Sequence, residues 1–237
     1  HGRAGRRALA GPADPGRLMS ASHATLHYIH DPLCGWCYGA QPLVSAAVAM
    51  LGDRLALRLH GGALFAEPQE LTPAMAEHIV RADERIEEIS GQPFGEAYTE
   101  GLLAEASTVL YSLPPIAAVL AAETLHPEAG YPMLVAIQHA HYQRGLRVVE
   151  ADVLAELAEE LGLDAAQFAD AFAKASGNEL IEHIQASRRL LGEVGGQGFP
   201  TLVLEVQGQR HVLPHHQDYG RPDAFVERIA ARLPAVH

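Results

Sequence analysis

The chain of 237 residues is long enough for one large domain or a domain with a substantial insertion, and its 48% hydrophobic content supplies an ordinary globular core. Its 29 acidic side chains against 17 lysines and arginines give a net charge of −12, which repels phosphate backbones and anionic lipid and argues against nucleic acid as a partner. No apolar run reaches the ~20 residues a bilayer crossing needs, so no membrane association is expected.

Residues 1–22 read as a flexible leader rich in Gly, Pro and Arg, with Met19 a candidate start. Arg6-Arg7 invites an export reading, but no apolar signal core follows it. The expected location is cytoplasmic. Cysteine usage agrees, because a stapled secreted domain carries several pairs, whereas this chain holds two cysteines in all.

Residues 24–29 (ATLHYI) have strand propensity, Asp31-Pro32 breaks the run, and residues 37–51 read as an Ala-rich helix closed by Gly52. Residues 54–60 alternate with period two and predict a second strand parallel to the first, completing a βαβ unit. From about Glu67 to Val194 the pattern is helical. Thr72-Pro73 marks one start, with Met75, Ile79, Ala82, Ile86 and Ile89 on one face; Ser112 before Pro114-Pro115 marks another. Helices over 131–144 and 150–161 end at Gly145 and Gly162. Asp164 to Gln167 forms a capping box with Leu163 stapled to Phe168, and Ser176 to Glu179 repeats the box ahead of a long helix. Residues 201–206 and 210–213 predict a hairpin around Gln207-Gly208, and residues 222–233 a closing helix.

Both cysteines stand in Cys34-Gly35-Trp36-Cys37, between the first strand and its helix. Two residues between a lone pair, in that context, indicate a thiol–disulfide redox centre. The first cysteine of such a turn sits at a helix N-terminus, whose unpaired amides favour a thiolate, so Cys34 is the expected nucleophile; Cys37, one turn on and more buried, is the expected resolving thiol. Gly35 and Trp36 bring no cationic partner for the thiolate. Dithiol proteins span about −270 to −120 mV, roughly 7 kcal/mol for two electrons, and this pair is expected toward the reducing end.

Asp31-Pro32-Leu33-Cys34-Gly35-Trp36-Cys37-Tyr38-Gly39, Pro42 five residues past the second cysteine, and Gly198-Phe199-Pro200-Thr201 before a strand together resemble the DsbA family of the thioredoxin superfamily, most closely its FrnE-like cytosolic branch of predicted protein-disulfide isomerases. The resemblance covers residues 24 to about 233. It implies an α/β thioredoxin fold with an inserted all-helical domain, divided as 23–66 and 188–237 for the thioredoxin-like part and 67–187 for the insertion. It also implies a cis peptide before Pro200, placed beside the cysteines, so that residue 199 offers its backbone to an extended substrate.

The expected enzyme is a protein disulfide oxidoreductase or isomerase. Its catalytic residues are Cys34 and Cys37, with Trp36, Phe199 and Pro200 binding substrate, and its partners are protein or small-molecule thiols and disulfides. No metal and no bound cofactor are expected beyond the cysteine pair, with glutathione the candidate electron partner. A homodimer is left open. His30 and Asp31, just before Cys34, are candidates for proton transfer with Cys37; Pro42 reads as a structural helix kink. His139 and His141 read as solvent-facing or satisfied in the core. A zinc reading would join the two cysteines to His211 and His215, which lie far along the chain. Two further readings stand beside the leading one: a glutathione-dependent transferase or isomerase of the kappa or 2-hydroxychromene-2-carboxylate type, which typically carries serine at the nucleophile position, and a chaperone-like module holding clients in an apolar cleft.

Overall fold

The computed structural model describes residues 24–234; the expected leader at 1–22, with Met19, lies outside the described residues. A four-stranded sheet carries the site. Its order is β2 (Ala56–Gly61), β1 (Ala24–His30), β5 (Thr201–Val206), β6 (Gln209–Val212), with β1 and β2 parallel and the other neighbours antiparallel. In β1 burial alternates up to Tyr28 and then covers both faces: Leu26 and Tyr28 are fully buried in the main core, which includes Leu43, Val44 and Ala47 of α1 (Gly35–Leu51) and Phe225 and Ile229 of α8 (Pro222–Ala230). On the opposite face Ile29 and Val203 form a smaller cluster with Leu190 of α7 (Asn178–Glu193).

The β5–β6 hairpin turns through Gln207 and Gly208, both at positive φ (51° and 77°), the geometry whose twist suits a two-residue hairpin. Gly91, Gly145 and Gly162 follow three helices of the insertion in the left-handed conformation. Thr72 Oγ1 accepts from Met75 N at the start of α2 (Pro73–Ser90), and Asp164 Oδ1 accepts from Gln167 N at the start of α6 (Ala165–Ala175).

Between β2 and β5 the chain is mostly helical. In α3 (Leu113–Leu125), Ala117, Ala118, Ala121 and Ala122 are fully buried, and these small side chains let α4 (Gly130–Tyr142), α6 and α5 (Ala151–Glu160) pack closely around it. The insertion also holds a two-stranded ribbon of β3 (Gln69–Glu70) and β4 (Val109–Leu110), too short to show a period in sequence. The expected division after residue 187 falls inside α7, which packs on β2.

Two local expectations are corrected. Ser176 does not cap the following helix: its Oγ donates to Phe172 O and closes α6, and α7 begins after Gly177 without a side-chain cap. A serine can serve either end of a helix, and here back-bonding to the preceding turn wins. The apolar stripe of α2 ends differently as well, since Ile86 and Ser90 are buried while Ile89 is 39% exposed. The buried face steps by four residues from position 86, and Asp83 lies inside with it.

Candidate active site

Cys34 is the N-cap of α1, with extended backbone (φ −96°, ψ 112°), and the first intrahelical bonds run from Cys37 N and Tyr38 N to its carbonyl. The amides of Gly35 and Trp36 therefore belong to the unsatisfied first turn. Cys34 is 7% exposed, and its Sγ donates to Phe199 O across 3.5 Å. Cys37 is fully buried; both cysteines are free thiols. Asp31 N donates to Cys37 Sγ (3.5 Å), and burial, reinforced by Cys34, pushes the Cys37 thiol well above its usual range.

The Phe199–Pro200 peptide is cis, and Pro200 is buried. Phe199 is half-buried, its ring filling the space where Gly62 lacks a side chain, with the Arg188 guanidinium 5.7 Å from the ring centre. Arg188 donates to Gly62 O (2.6 Å) and to Ala63 O, so the loop after β2, α7 and the strand-leading loop at 199 are joined beside the thiol. Trp36 is half-buried against Tyr219 at 5.6 Å, and Tyr219 Oη donates to Trp36 O (2.9 Å). Tyr28 Oη donates to Cys37 O (2.9 Å), tying the turn to the sheet.

His30 and Asp31 are buried beside this turn. Neither ring nitrogen of His30 has a hydrogen-bond partner among the described residues, and burial, with lesser contributions from His183 and His60, lowers its pKa to about 3. Asp31 Oδ1 accepts from Leu33 N (2.8 Å) and Ser112 Oγ (3.0 Å), and Oδ2 from Leu64 N (2.7 Å). Burial raises the Asp31 carboxyl against the opposing pull of those three donors. The carboxyl is thus engaged in holding the loops, and it is the backbone amide that meets Cys37. His141 is buried and lowered to about 4, and His139 is partly buried and lowered. His211 lies exposed on β6 while His215 is buried against His216 and Tyr219; among the described residues no group of three or more His, Cys, Asp or Glu is placed to hold a metal ion.

The sequence model of the DSBA-like thioredoxin domain matches residues 25–230. The chain belongs to that family. It is a disulfide oxidoreductase of the DSBA-like group, with two cysteines three positions apart at its helix start. Among solved structures it is similar to the cytosolic disulfide reductase DsbM from Pseudomonas aeruginosa, at 46% identity over 88% of this chain and 98% of that one, with a TM-score of 0.82. The same protein with glutathione (GSH) matches at 44% identity over the same shares of both chains, with a TM-score of 0.80. A Nitrosomonas europaea protein provisionally named a protein disulfide isomerase shares the fold at 24% identity, over 88% of this chain and 96% of that one, with a TM-score of 0.73. A search of curated proteins gives no match.

Sequence reasoning missed Asp83, Tyr98, Tyr142 and Tyr219. Asp83 lies within the run Ala82-Asp83-Glu84-Arg85, which reads as a solvated helix face, and nothing local separates the buried carboxylate from the exposed one beside it. The one usable signal was Gly35 itself, a glycine in a helix that has no turn to make.

Proposed function

We propose that this DSBA-like protein is a cytosolic disulfide reductase that works through Cys34 and Cys37 and takes its electrons from glutathione. The observation that carries the reading is the seating of Cys34 Sγ at the helix start, 3.5 Å from Phe199 O in the Phe199–Pro200 loop. An extended client laid along residue 199 brings its disulfide to the sulfur by a short stretch of strand-like pairing. Trp36, half-buried and adjoining the same turn, supplies an apolar wall for the client.

In the forward half-reaction the Cys34 thiolate attacks one sulfur of the client disulfide. A Cys34–client bond forms and the other client sulfur leaves as thiolate. Cys37 then gives up its proton and attacks Cys34 Sγ, releasing the second client thiolate and leaving the Cys34–Cys37 disulfide, so two electrons have passed to the client. Two glutathione thiols restore the dithiol and depart as glutathione disulfide. The raised Cys37 thiol suits this order, because a resolving group that stays protonated until its target forms does not compete for the client. The similar DsbM's description as a cytosolic reductase, and its structure with GSH, support both the direction and the electron source.

The test is insulin-disulfide reduction driven by glutathione. Cys34→Ser abolishes turnover, and Cys37→Ser accumulates a Cys34–glutathione mixed disulfide visible by mass spectrometry. Undiminished turnover in Cys34→Ser overturns the reading. An equilibrium potential near that of the strongest oxidants would reverse the direction of electron flow.

A further inference from the structure

Asp83 of α2 is 4% exposed, and its carboxyl lies against Gly35, the first residue of α1. A Cβ placed on Gly35 would stand 2.5 Å from Asp83 Oδ1 and 3.0 Å from Ile86 Cδ1. Gly35 has ordinary helical backbone, so the position does not use glycine's conformational freedom; it uses the missing side chain. Oδ2 accepts from Tyr98 Oη at 2.8 Å, leaving Oδ1 as the oxygen turned to the start of α1.

We propose that Asp83 is a positioning residue for the exchange chemistry: its carboxyl, admitted beside the helix start by Gly35, sets the field at Cys34 and so the reactivity and redox poise of the dithiol. The inference rests on Cys34 being the nucleophile. The N-terminal end of α1 carries unpaired amides that favour one negative charge. A carboxylate and a thiolate placed at that end oppose one another, whereas a neutral carboxyl leaves the end to the sulfur.

The groups facing Asp83 are few. From α1 come Gly35 and, next to it, Cys34; from the short π-helical turn Ala97–Gly101 comes Tyr98; from α4 comes Tyr142, buried with its ring 5.2 Å from that of Tyr98, and His141, packed on Tyr98 at 5.1 Å. On its own helix Glu84, Arg85 and Glu87 are exposed. Burial drives the Asp83 carboxyl up to about 7, only partly offset by the Tyr98 hydrogen bond. It therefore changes charge near neutrality: neutral below, and above it a buried anion that holds the Cys34 thiolate in check.

The experiment measures the rate of Cys34 alkylation by iodoacetamide from pH 4 to 10 on the reduced full chain, with the site verified by peptide mass mapping, alongside the equilibrium constant against glutathione. Asp83→Asn keeps the shape and the Tyr98 bond but removes the charge. Its alkylation profile moves to lower pH and loses the inflection near neutrality. The equilibrium shifts about three- to tenfold toward the dithiol, about 14 to 30 mV more oxidising. Tyr98→Phe, which leaves the carboxyl in place, moves that inflection to higher pH. Glu84→Gln removes an exposed charge one residue away and leaves the profile as in the parent chain. A profile and equilibrium unchanged in Asp83→Asn, or shifted equally by Glu84→Gln, overturn the inference alone; a chain in which Cys34 resists alkylation at every pH overturns the nucleophile assignment as well.

Discussion

Gln92 donates its side-chain amide to the carbonyl of Tyr38, at 3.1 Å, the oxygen that Pro42 leaves without the usual partner four residues on. The same amide reaches Gln41 Oε1 at 2.8 Å. A helix carrying a proline directly behind the cysteine turn is thus repaired from the loop after α2. Gln92→Ala strands a buried carbonyl and costs about 1–2 kcal/mol in urea unfolding. In a Pro42→Ala background the same truncation costs less than half as much, because the alanine restores a backbone N–H that reaches Tyr38 O. Equal costs in both backgrounds would show that Gln92 stabilises by some other contact.

Ser112, read from sequence only as the start of α3, has its hydroxyl elsewhere. Oγ donates to Asp31 Oδ1 and accepts from Phe65 N, both at 3.0 Å, in a fully buried position. Ser112→Ala leaves the amide of half-buried Phe65 without this partner and takes one of three donors from a buried carboxyl. The expected loss is about 2–3 kcal/mol by thermal or chemical unfolding. A loss under ~0.5 kcal/mol would mean the bridge is dispensable.

Gly62 makes room for the Phe199 ring, and a Cβ there would overlap two of the ring's atoms. Gly62→Ala pushes Phe199 away from Cys34 and is expected to lower kcat/KM for insulin reduction about tenfold, about 1.4 kcal/mol of transition-state stabilisation. Alkylation of Cys34 by a small reagent, which needs no client alignment, stays within about twofold. Parallel losses in both assays would point to damage at the sulfur itself.

His30 gives the pH dependence of stability a definite sign. Its folded pKa of about 3 lies below the unfolded value near 6.5, so between those values the unfolded chain binds the extra proton. The neutral ring's contribution is complete above about 6.5 and is lost as pH falls toward 3. At pH 5 the penalty is about 2 kcal/mol relative to pH 7. Asp83, raised to about 7, acts oppositely, because the folded chain binds its proton more tightly below neutrality. The readout is therefore a difference between chains: His30→Phe loses less stability than the parent between pH 7 and pH 5, measured by urea midpoints. Identical losses would place the ring in water.

Much of this architecture was legible because it is written locally. The strand propensity of residues 24–29, the glycines at 145 and 162 and the Asp164 cap each act within a few residues, and each has its counterpart in the structure. The cysteine pair was legible for the same reason. What surrounds it was not: Asp83 meets Gly35, Tyr98 holds Asp83, Gln92 reaches the Tyr38 carbonyl and Arg188 pins the loop after β2 beside Phe199, and their side chains look like solvent-facing residues until the packing is known. Ser176 shows the converse error, a local signal with two valid uses of which the packed chain employs the other.

The sulfur and the carbonyl that shields it are 165 positions apart along the chain. During synthesis the thiols emerge early, while the loop that will cover the first of them is still untranslated. For that interval the first thiol lacks the cover of Phe199 O, and the pair is open to any oxidant or stray disulfide nearby. A dependence on its milieu is therefore built into the order in which the ribosome delivers the two halves.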